Sequence, residues 1–327
     1  MLPSTEYHDS LGERMESSDA VQGNIYISVV ICTYNRSTLL NSCLLSLTEQ
    51  AADMNSFEVL VIDNNSTDDT HDVATEFVNN HSNFRLFFEP CQGLSHARNR
   101  GWKEAHGQYV AYIDDDAVAY PDWISSIAAF IARHPDSGIF GGPYDAFFLS
   151  PKPEWFPPEY GSLFLGDQER CVKLGSEWIT GSNMVIKKEL FCRYGGFNPM
   201  LGMNGGKEAY GEEVNLFLHM HEKGVPIVYV PSVKVSHLVA DYKMSLTWLL
   251  RSGYSVGRNY ELIFNPDKSL LSHVKGLTIA AAGAVYKLLR PVVMPFKRRL
   301  FYSLYQLYCE VGAVVEYLSC LCRKETR

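Results

Sequence analysis

Apolar positions change their period several times along the chain, and each change predicts an element. Ile27-Ser-Val-Val-Ile-Cys-Thr33 is a continuous β-branched run, which predicts a strand buried on both faces. Leu39, Leu40, Cys43, Leu44 and Leu47 then recur on one side of a helix. A second strand is predicted over Glu58-Val-Leu-Val-Ile62, a helix over 68–80 and a third strand over 84–88. The loop Cys91-Gln-Gly-Leu-Ser95 opens a helix over 96–106, which Gly107 is expected to stop. The strand Tyr109-Val-Ala-Tyr-Ile113 runs straight into Asp114, Asp115 and Asp116. Strands alternating with helices predict an α/β domain with a mostly parallel sheet and right-handed crossovers. Ligands of such sheets sit beyond the carboxyl ends of the strands, where Thr33, Asp63 and Asp114 all fall.

The texture changes after Gly141. Pro151-Lys-Pro-Glu-Trp-Phe-Pro-Pro158 is incompatible with a helix or an inner strand and predicts a long surface loop or lid. A strand over 178–186 and a short helix over 187–193 follow. A glycine-rich stretch over 195–211 leads to Glu212 and Glu213, which open a helix that Gly224 stops. The strand over 227–230 precedes His237. Beyond residue 240 the pattern is helical, with Leu300, Leu304, Leu307, Val311, Val314, Leu318 and Leu321 at helical spacing. The uncharged run from Gly276 to Tyr286 spans 11 residues, short of the ~20 that cross a bilayer.

Composition narrows the function classes. With 46% hydrophobic and 20% charged residues the chain is expected to fold around an ample core. A net charge of −8 argues against a nucleic-acid partner, which calls for clustered cations. An anionic substrate therefore needs local help from a metal or a few placed arginines. Eight cysteines without a CxxC pair predict buried reduced thiols, among them Cys32, Cys43 and Cys192, and a reducing compartment. Residues 1–24 are polar and carry no apolar signal segment, so they are expected to form a disordered leader on a cytoplasmic protein.

Several side chains are candidates for chemistry. Carboxylates at a strand terminus suit a hard divalent cation bridging to phosphates, the bland alternative being a solvated turn. Asp63 shares the register of Asp114, although Asp-Asn-Asn-Ser is also a good helix-entry sequence. Arg98, early in its helix, reaches a base or diphosphate, or is simply solvated. Glu212 and Glu213 occupy a helix start, where negative charge is favourable anyway; one of them alternatively removes a proton from an acceptor hydroxyl. Helix neighbours point about 100° apart, so only one faces a site. His237 is a metal or phosphate ligand or a structural histidine.

Taken in order, these segments resemble family 2 of the inverting glycosyltransferases. Val29-Val-Ile-Cys-Thr-Tyr-Asn-Arg36 is similar to that family's first strand and nucleotide loop, Asp63-Asn-Asn-Ser-Thr-Asp68 to its second acidic motif, and Gly93-Leu-Ser-His-Ala-Arg-Asn-Arg-Gly101 to its third segment. Ile113-Asp-Asp-Asp116 occupies the DxD position, Thr180-Gly-Ser-Asn183 resembles the acceptor-side strand, and Gly211-Glu-Glu213 the Glu-Asp pair before a helix. Pro231 to His237 matches the closing strand and histidine. The resemblance implies a GT-A nucleotide-sugar-binding fold over 25–240, with a nucleotide half over 25–120, an acceptor half over 121–240, and a helical extension over 241–327. It implies nucleotide contacts from Thr33, Tyr34, Asn35, Arg36, Asp63, Arg98, Asp114 and Asp115. Asp116 and His237 would hold Mn2+ or Mg2+, and Trp178, Gly181 and Asn183 would meet the acceptor. Glu213 is the expected base, with Glu212 beside it; the family normally has aspartate there. By family habit the donor is a UDP-sugar and the acceptor a glycan or lipid-linked glycan. No Gln-x-x-Arg-Trp motif follows the base, which favours a single-addition enzyme.

Other readings remain. A nucleotidyltransferase or phosphohydrolase also gathers carboxylates at strand ends, but no GxxxxGK[ST] loop is present. A dinucleotide oxidoreductase needs GxGxxG after the first strand, where Thr-Tyr-Asn-Arg stands. A sugar-binding module with a degenerate site is compatible with the Glu-Glu pair. Lys287, Arg290, Lys297, Arg298 and Arg299 next to the last helix suit contact with an anionic membrane. A helical cap or a dimer interface is the alternative.

Overall fold

The computed structural model describes residues 27–205, 211–264 and 269–325. The predicted leader over 1–24 lies outside the described residues, as does part of the glycine-rich stretch before Glu212. The predicted βα alternation is present: β1 (Ile27–Thr33), α1 (Ser37–Thr48), β2 (Phe57–Asp63), α2 (Thr70–Asn80), β3 (Phe84–Phe88), α3 (Leu94–Glu104) and β4 (Tyr109–Ile113). Every residue of β2 and β4 is buried, as expected of strands covered on both faces. Next come β5 (Ala117–Ala119), α4 (Trp123–Arg133), β6 (Ile139–Gly141), β7 (Tyr144–Phe147) and β8 (Arg170–Cys171). The chain continues through β9 (Asn183–Lys187), α5 (Lys188–Tyr194), α6 (Glu212–Glu222), β10 (Ile227–Tyr229) and β11 (Val235–Leu238). Three long helices follow: α7 (Leu246–Phe264), α8 (Leu270–Leu289) and α9 (Phe296–Glu325).

The main sheet has the order β3-β2-β1-β4-β9-β6-β10-β8. Its first four strands are mutually parallel, whereas β9 runs antiparallel to both β4 and β6. This reversal, together with the antiparallel β8 beside β10, makes the sheet mixed. A second, three-stranded sheet, β5-β11-β7, stands beyond the carboxyl end of β4 and carries His237 on its central strand. Two apolar clusters cover the faces of the main sheet, one around Trp123 and Phe130, the other around Tyr112 and Phe191.

Several expectations are corrected. The strand predicted from Trp178 begins only at Asn183, because Thr180 to Ser182 form a turn, and Trp178 stands before it, part-exposed. The helix before Gly107 ends at Glu104 through an extended Ala105, with no left-handed glycine cap. Here the buried Glu58 and Ser28 capture the chain: His106 N–H donates to Glu58 Oε1 at 2.6 Å and Gly107 N–H to Ser28 Oγ at 2.8 Å. The proline-rich segment is a loop but no free lid. Phe156 is fully buried against Val239, Leu249 and Phe301, and Arg298 donates to the carbonyls of Glu154, Trp155 and Phe156. Cys43 is buried, but Cys192 is exposed, because α5 turns only Leu190 and Phe191 inward.

The three C-terminal helices pack together. On α7, Gly257 lies so close to α9 that a Cβ there would collide with the Cys309 carbonyl. Gly312 meets the Tyr254 carbonyl in the same way. Arg258 and Glu316 pair across the two helices at 2.5 Å. Among the described residues no helix is long and apolar enough to cross a membrane.

Candidate active site

A cleft of about 710 Å³ opens at the carboxyl ends of β1 and β4 and is closed on the far side by α6 and β11. Thr33, Tyr34, Asn35 and Arg36 form one wall, and Asp114, Asp115 and Asp116 form its floor. Asn35 takes a left-handed conformation (φ 52°), which asparagine tolerates, and its side-chain oxygen accepts from Thr67 N–H at 2.7 Å. Asn35 thereby ties the loop after β1 to the loop after β2.

The three aspartates have different surroundings. Arg36 donates to Asp115 at 3.1 Å and to Asp116 at 2.7 Å. Asp116 also lies 3.1 Å from His237 Nε2, and Asp114 lies 3.6 Å from the same atom. Burial works against the Asp116 charge, but His237 and then Arg36 hold its pKa well below the ordinary carboxylate range. Burial alone dominates at Asp115: opposed by Arg36 and reinforced by Asp116, it pushes the pKa up to about 7. His237 is likewise opposed by burial, yet the two aspartates raise it to about 9. One ligand atom from each of Asp114, Asp116 and His237 falls within 4.8 Å of the others. Two carboxylates and an imidazole at that separation fit a divalent cation, which would take the place of the proton on His237.

Arg98 is the main surprise. An arginine in an early helical turn is ordinarily solvated, yet this one is 3% exposed. Its guanidinium donates to Glu212 Oε1 at 2.6 Å and approaches Asp114 at 3.4 Å. Phe197 covers its face, with the ring centroid at 5.5 Å. A Cβ on Gly181 would clash with Arg98 Nη2, so the glycine of Thr180-Gly-Ser-Asn183 makes room for this side chain.

The pair Glu212-Glu213 is thereby divided. Glu212 is tied to Arg98, while Glu213 lines the cleft with Oε2 lacking a hydrogen-bond partner among the described residues. Burial, followed by the neighbouring charge of Glu212, raises the Glu213 carboxyl to about 8. Such a carboxyl accepts a proton from a bound hydroxyl only once it is ionised, and it is then a stronger base than an ordinary carboxylate.

Three predicted residues stand off the cleft wall. Asp63 is buried behind it, accepting from Ser66 N–H at 2.9 Å and facing His71 at 3.2 Å; its neighbour Asn64 lines the cleft instead. Asn183 is fully buried: it accepts from Trp123 Nε1 and donates to the Pro143 and Val233 carbonyls, so it joins strands and leaves no group for an acceptor. Trp178 lies in the loop before the turn and is absent from the cleft wall. Conversely, Tyr242, Lys243 and Trp248 line the cleft although they follow residue 240. Nothing in their local pattern marks them; only the return of the chain from β11 brings them to the aspartates.

The profile of glycosyl transferase family 2 matches residues 28–195, just over half of the chain. The chain belongs to that family. It is 29% identical over 238 residues to the glucosyl-dolichyl phosphate glucuronosyltransferase of Haloferax volcanii, covering 68% of this chain and 72% of that one. It is 28% identical to a validoxylamine A glucosyltransferase of Streptomyces hygroscopicus over 62% of this chain and 52% of the relative. Among solved structures, the mannosyltransferase PcManGT of Pyrobaculum calidifontis, in complex with GDP-Man and Mn2+, superposes with a TM-score of 0.61. The identity is 19%, over 89% of this glycosyltransferase and 86% of that chain. S. aureus TarS 1–349 in complex with UDP-GlcNAc gives 0.54 at 16% identity, over 90% and 92%. The GT-A architecture is thus shared, and the oxidoreductase and nucleotidyltransferase readings fall away.

Proposed function

We propose that this glycosyltransferase moves a sugar from a nucleoside-diphosphate donor to an acceptor hydroxyl by a single displacement with inversion. The observation that carries the reading is the division within Glu212-Glu213: Arg98 holds the first carboxylate, while the second lines the same cleft as the aspartates with Oε2 unpaired among the described residues. Glu213 takes the proton of the acceptor hydroxyl, and the oxygen attacks the anomeric carbon from the side opposite the diphosphate. Thr33 to Arg36 and Asp114 hold the nucleoside end of the donor. Lys243, in the same cleft, faces the departing diphosphate as its charge develops. A Mn2+ or Mg2+ ion held by Asp114, Asp116 and His237 would supply further positive charge at the diphosphate.

We take the donor to be a UDP-sugar and the acceptor a glycan or lipid-linked glycan. The similarity to a glucosyl-dolichyl phosphate glucuronosyltransferase supports a lipid-linked acceptor. Free thiols at Cys43, Cys91, Cys171 and Cys192 support a reducing compartment, the cytoplasm, at the inner face of its membrane. The test is a screen of nucleotide-sugars with and without Mn2+, followed by determination of the anomeric configuration of the product. Metal-dependent turnover with an inverted product is expected; a retained configuration would overturn the displacement.

A further inference from the structure

Helix α8 is built the wrong way round for a helix whose only task is to pack on the protein. Its buried residues are His273, Ala280 and Ala284, two of them small. Its larger apolar side chains point to solvent: Leu271 is 79% exposed, Ile279 62%, Tyr286 64% and Leu289 77%, with Val274 and Val285 also more than half exposed. At about 100° per residue these six positions fall within an arc of about 140°, so they form one broad face along a helix about 30 Å long. Val293 in the connecting turn and Phe296 at the start of α9, both strongly exposed, extend the apolar surface. Contiguous apolar surface of this kind marks an interaction site.

The charge around the stripe identifies what covers it. From Ser269 to Cys309 there is no aspartate or glutamate, although the chain carries 37 acidic residues in all. The same stretch contains Lys275, Lys287, Arg290, Lys297, Arg298 and Arg299. Arg298, Arg299 and Lys287 donate to backbone carbonyls, and Lys275, Lys287, Arg290 and Lys297 are exposed. A second copy docking through this face would set cation against cation, with no carboxylate in the stripe to answer them. An anionic lipid surface answers both features: its acyl boundary takes the apolar stripe and its headgroups take the cations.

We propose that the outer face of α8 docks the protein on an anionic bilayer, the helix lying in the plane of the interface. The docking surface shares no residue with the cleft, so it stands or falls independently of sugar transfer. It would hold the enzyme on a membrane although no described helix is long and apolar enough to span one.

The test is co-sedimentation of the full chain with vesicles of phosphatidylcholine, alone or mixed with phosphatidylglycerol. Binding is expected to the mixed vesicles, weak to phosphatidylcholine alone, and weakened by salt. The combined substitution Leu271→Glu, Ile279→Glu and Val285→Glu is expected to lower partitioning about tenfold or more. The combination Lys275→Glu, Arg290→Glu and Lys297→Glu is expected to abolish the preference for phosphatidylglycerol. All six positions are exposed, and an unchanged melting temperature and donor-sugar hydrolysis would show that each variant is folded. The proposal is overturned if the unmodified chain does not sediment with the mixed vesicles, or if the three glutamates leave sedimentation unchanged. It is equally overturned if light scattering shows the stripe joining two copies while the vesicles remain unbound.

Discussion

Arg98 and Glu212, 114 positions apart, meet in a buried ion pair at 2.6 Å that links the helix after the third strand to the helix carrying Glu213. Through this pair α3 and α6 are tied together across the cleft, and Glu213 keeps Oε2 without a hydrogen-bond partner among the described residues. Breaking the pair leaves a buried charge uncompensated, at a cost of about 3–5 kcal/mol.

Substitution of the two glutamates should therefore separate. Glu213→Gln is expected to lower kcat by about a hundredfold or more while nucleotide-sugar binding is retained. Glu212→Gln is expected to act first on the fold, lowering the melting temperature and releasing Arg98. Turnover, donor binding and thermal melts on both variants check this; a Glu213→Gln enzyme of normal kcat would remove the proposed base.

Gly181→Ala should reproduce the loss of that pair from the other side. The added methyl group collides with Arg98 Nη2, and the guanidinium must shift. Overpacking of this kind costs about 1–3 kcal/mol. Denaturant unfolding together with kcat measures it, and kcat is expected to fall along with stability.

The pH profile carries a definite sign. Glu213 has a folded pKa of about 8 against an ordinary 4.5, so the folded state holds its proton over that interval. Its contribution to stability is full below about pH 4.5 and is lost as pH rises through about 8. Asp115, raised to about 7, acts in the same direction. Unfolding free energy is thus expected to decline across this window, with a shallower decline in Glu213→Gln. Meanwhile kcat/KM should rise with pH towards a limb near 8, because only the ionised carboxylate accepts the proton.

Asn183 is expected to behave as a structural residue. Asn183→Ala strands Trp123 Nε1 and two carbonyls, each an unsatisfied buried group worth about 1–3 kcal/mol. A marked drop in the unfolding midpoint is expected, with acceptor KM nearly unchanged in the protein that still folds.

The cation site is tested by removing its ligands. Asp116→Asn and His237→Ala should each raise the Mn2+ concentration required for half-maximal turnover by about tenfold or more. The stabilisation that Mn2+ confers on the melting temperature should vanish in the same variants. Equal Mn2+ dependence in all three proteins would place the cation elsewhere.

The parallel half of the sheet was fully legible in the chain. Four apolar runs ending at Thr33, Asp63, Phe88 and Ile113 set the strands, and the three aspartates directly after Ile113 placed the floor of the cleft. Buried strands and one-sided helices leave a periodic trace because their burial is decided locally. Of the residues in the later motifs, Gly181, Glu212, Glu213 and His237 line the cleft. What the sequence could not decide is which group of each motif faces the cleft. Asn183 and Gly181 belong to one motif, yet the first bonds strands together and the second clears space for Arg98. Lys243 and Trp248 reach the cleft only because the chain doubles back after β11. The division between Glu212 and Glu213 likewise depends on an arginine 114 positions away. Local pattern records the period of burial, whereas pairing across the fold depends on distances that only the closed tertiary structure defines.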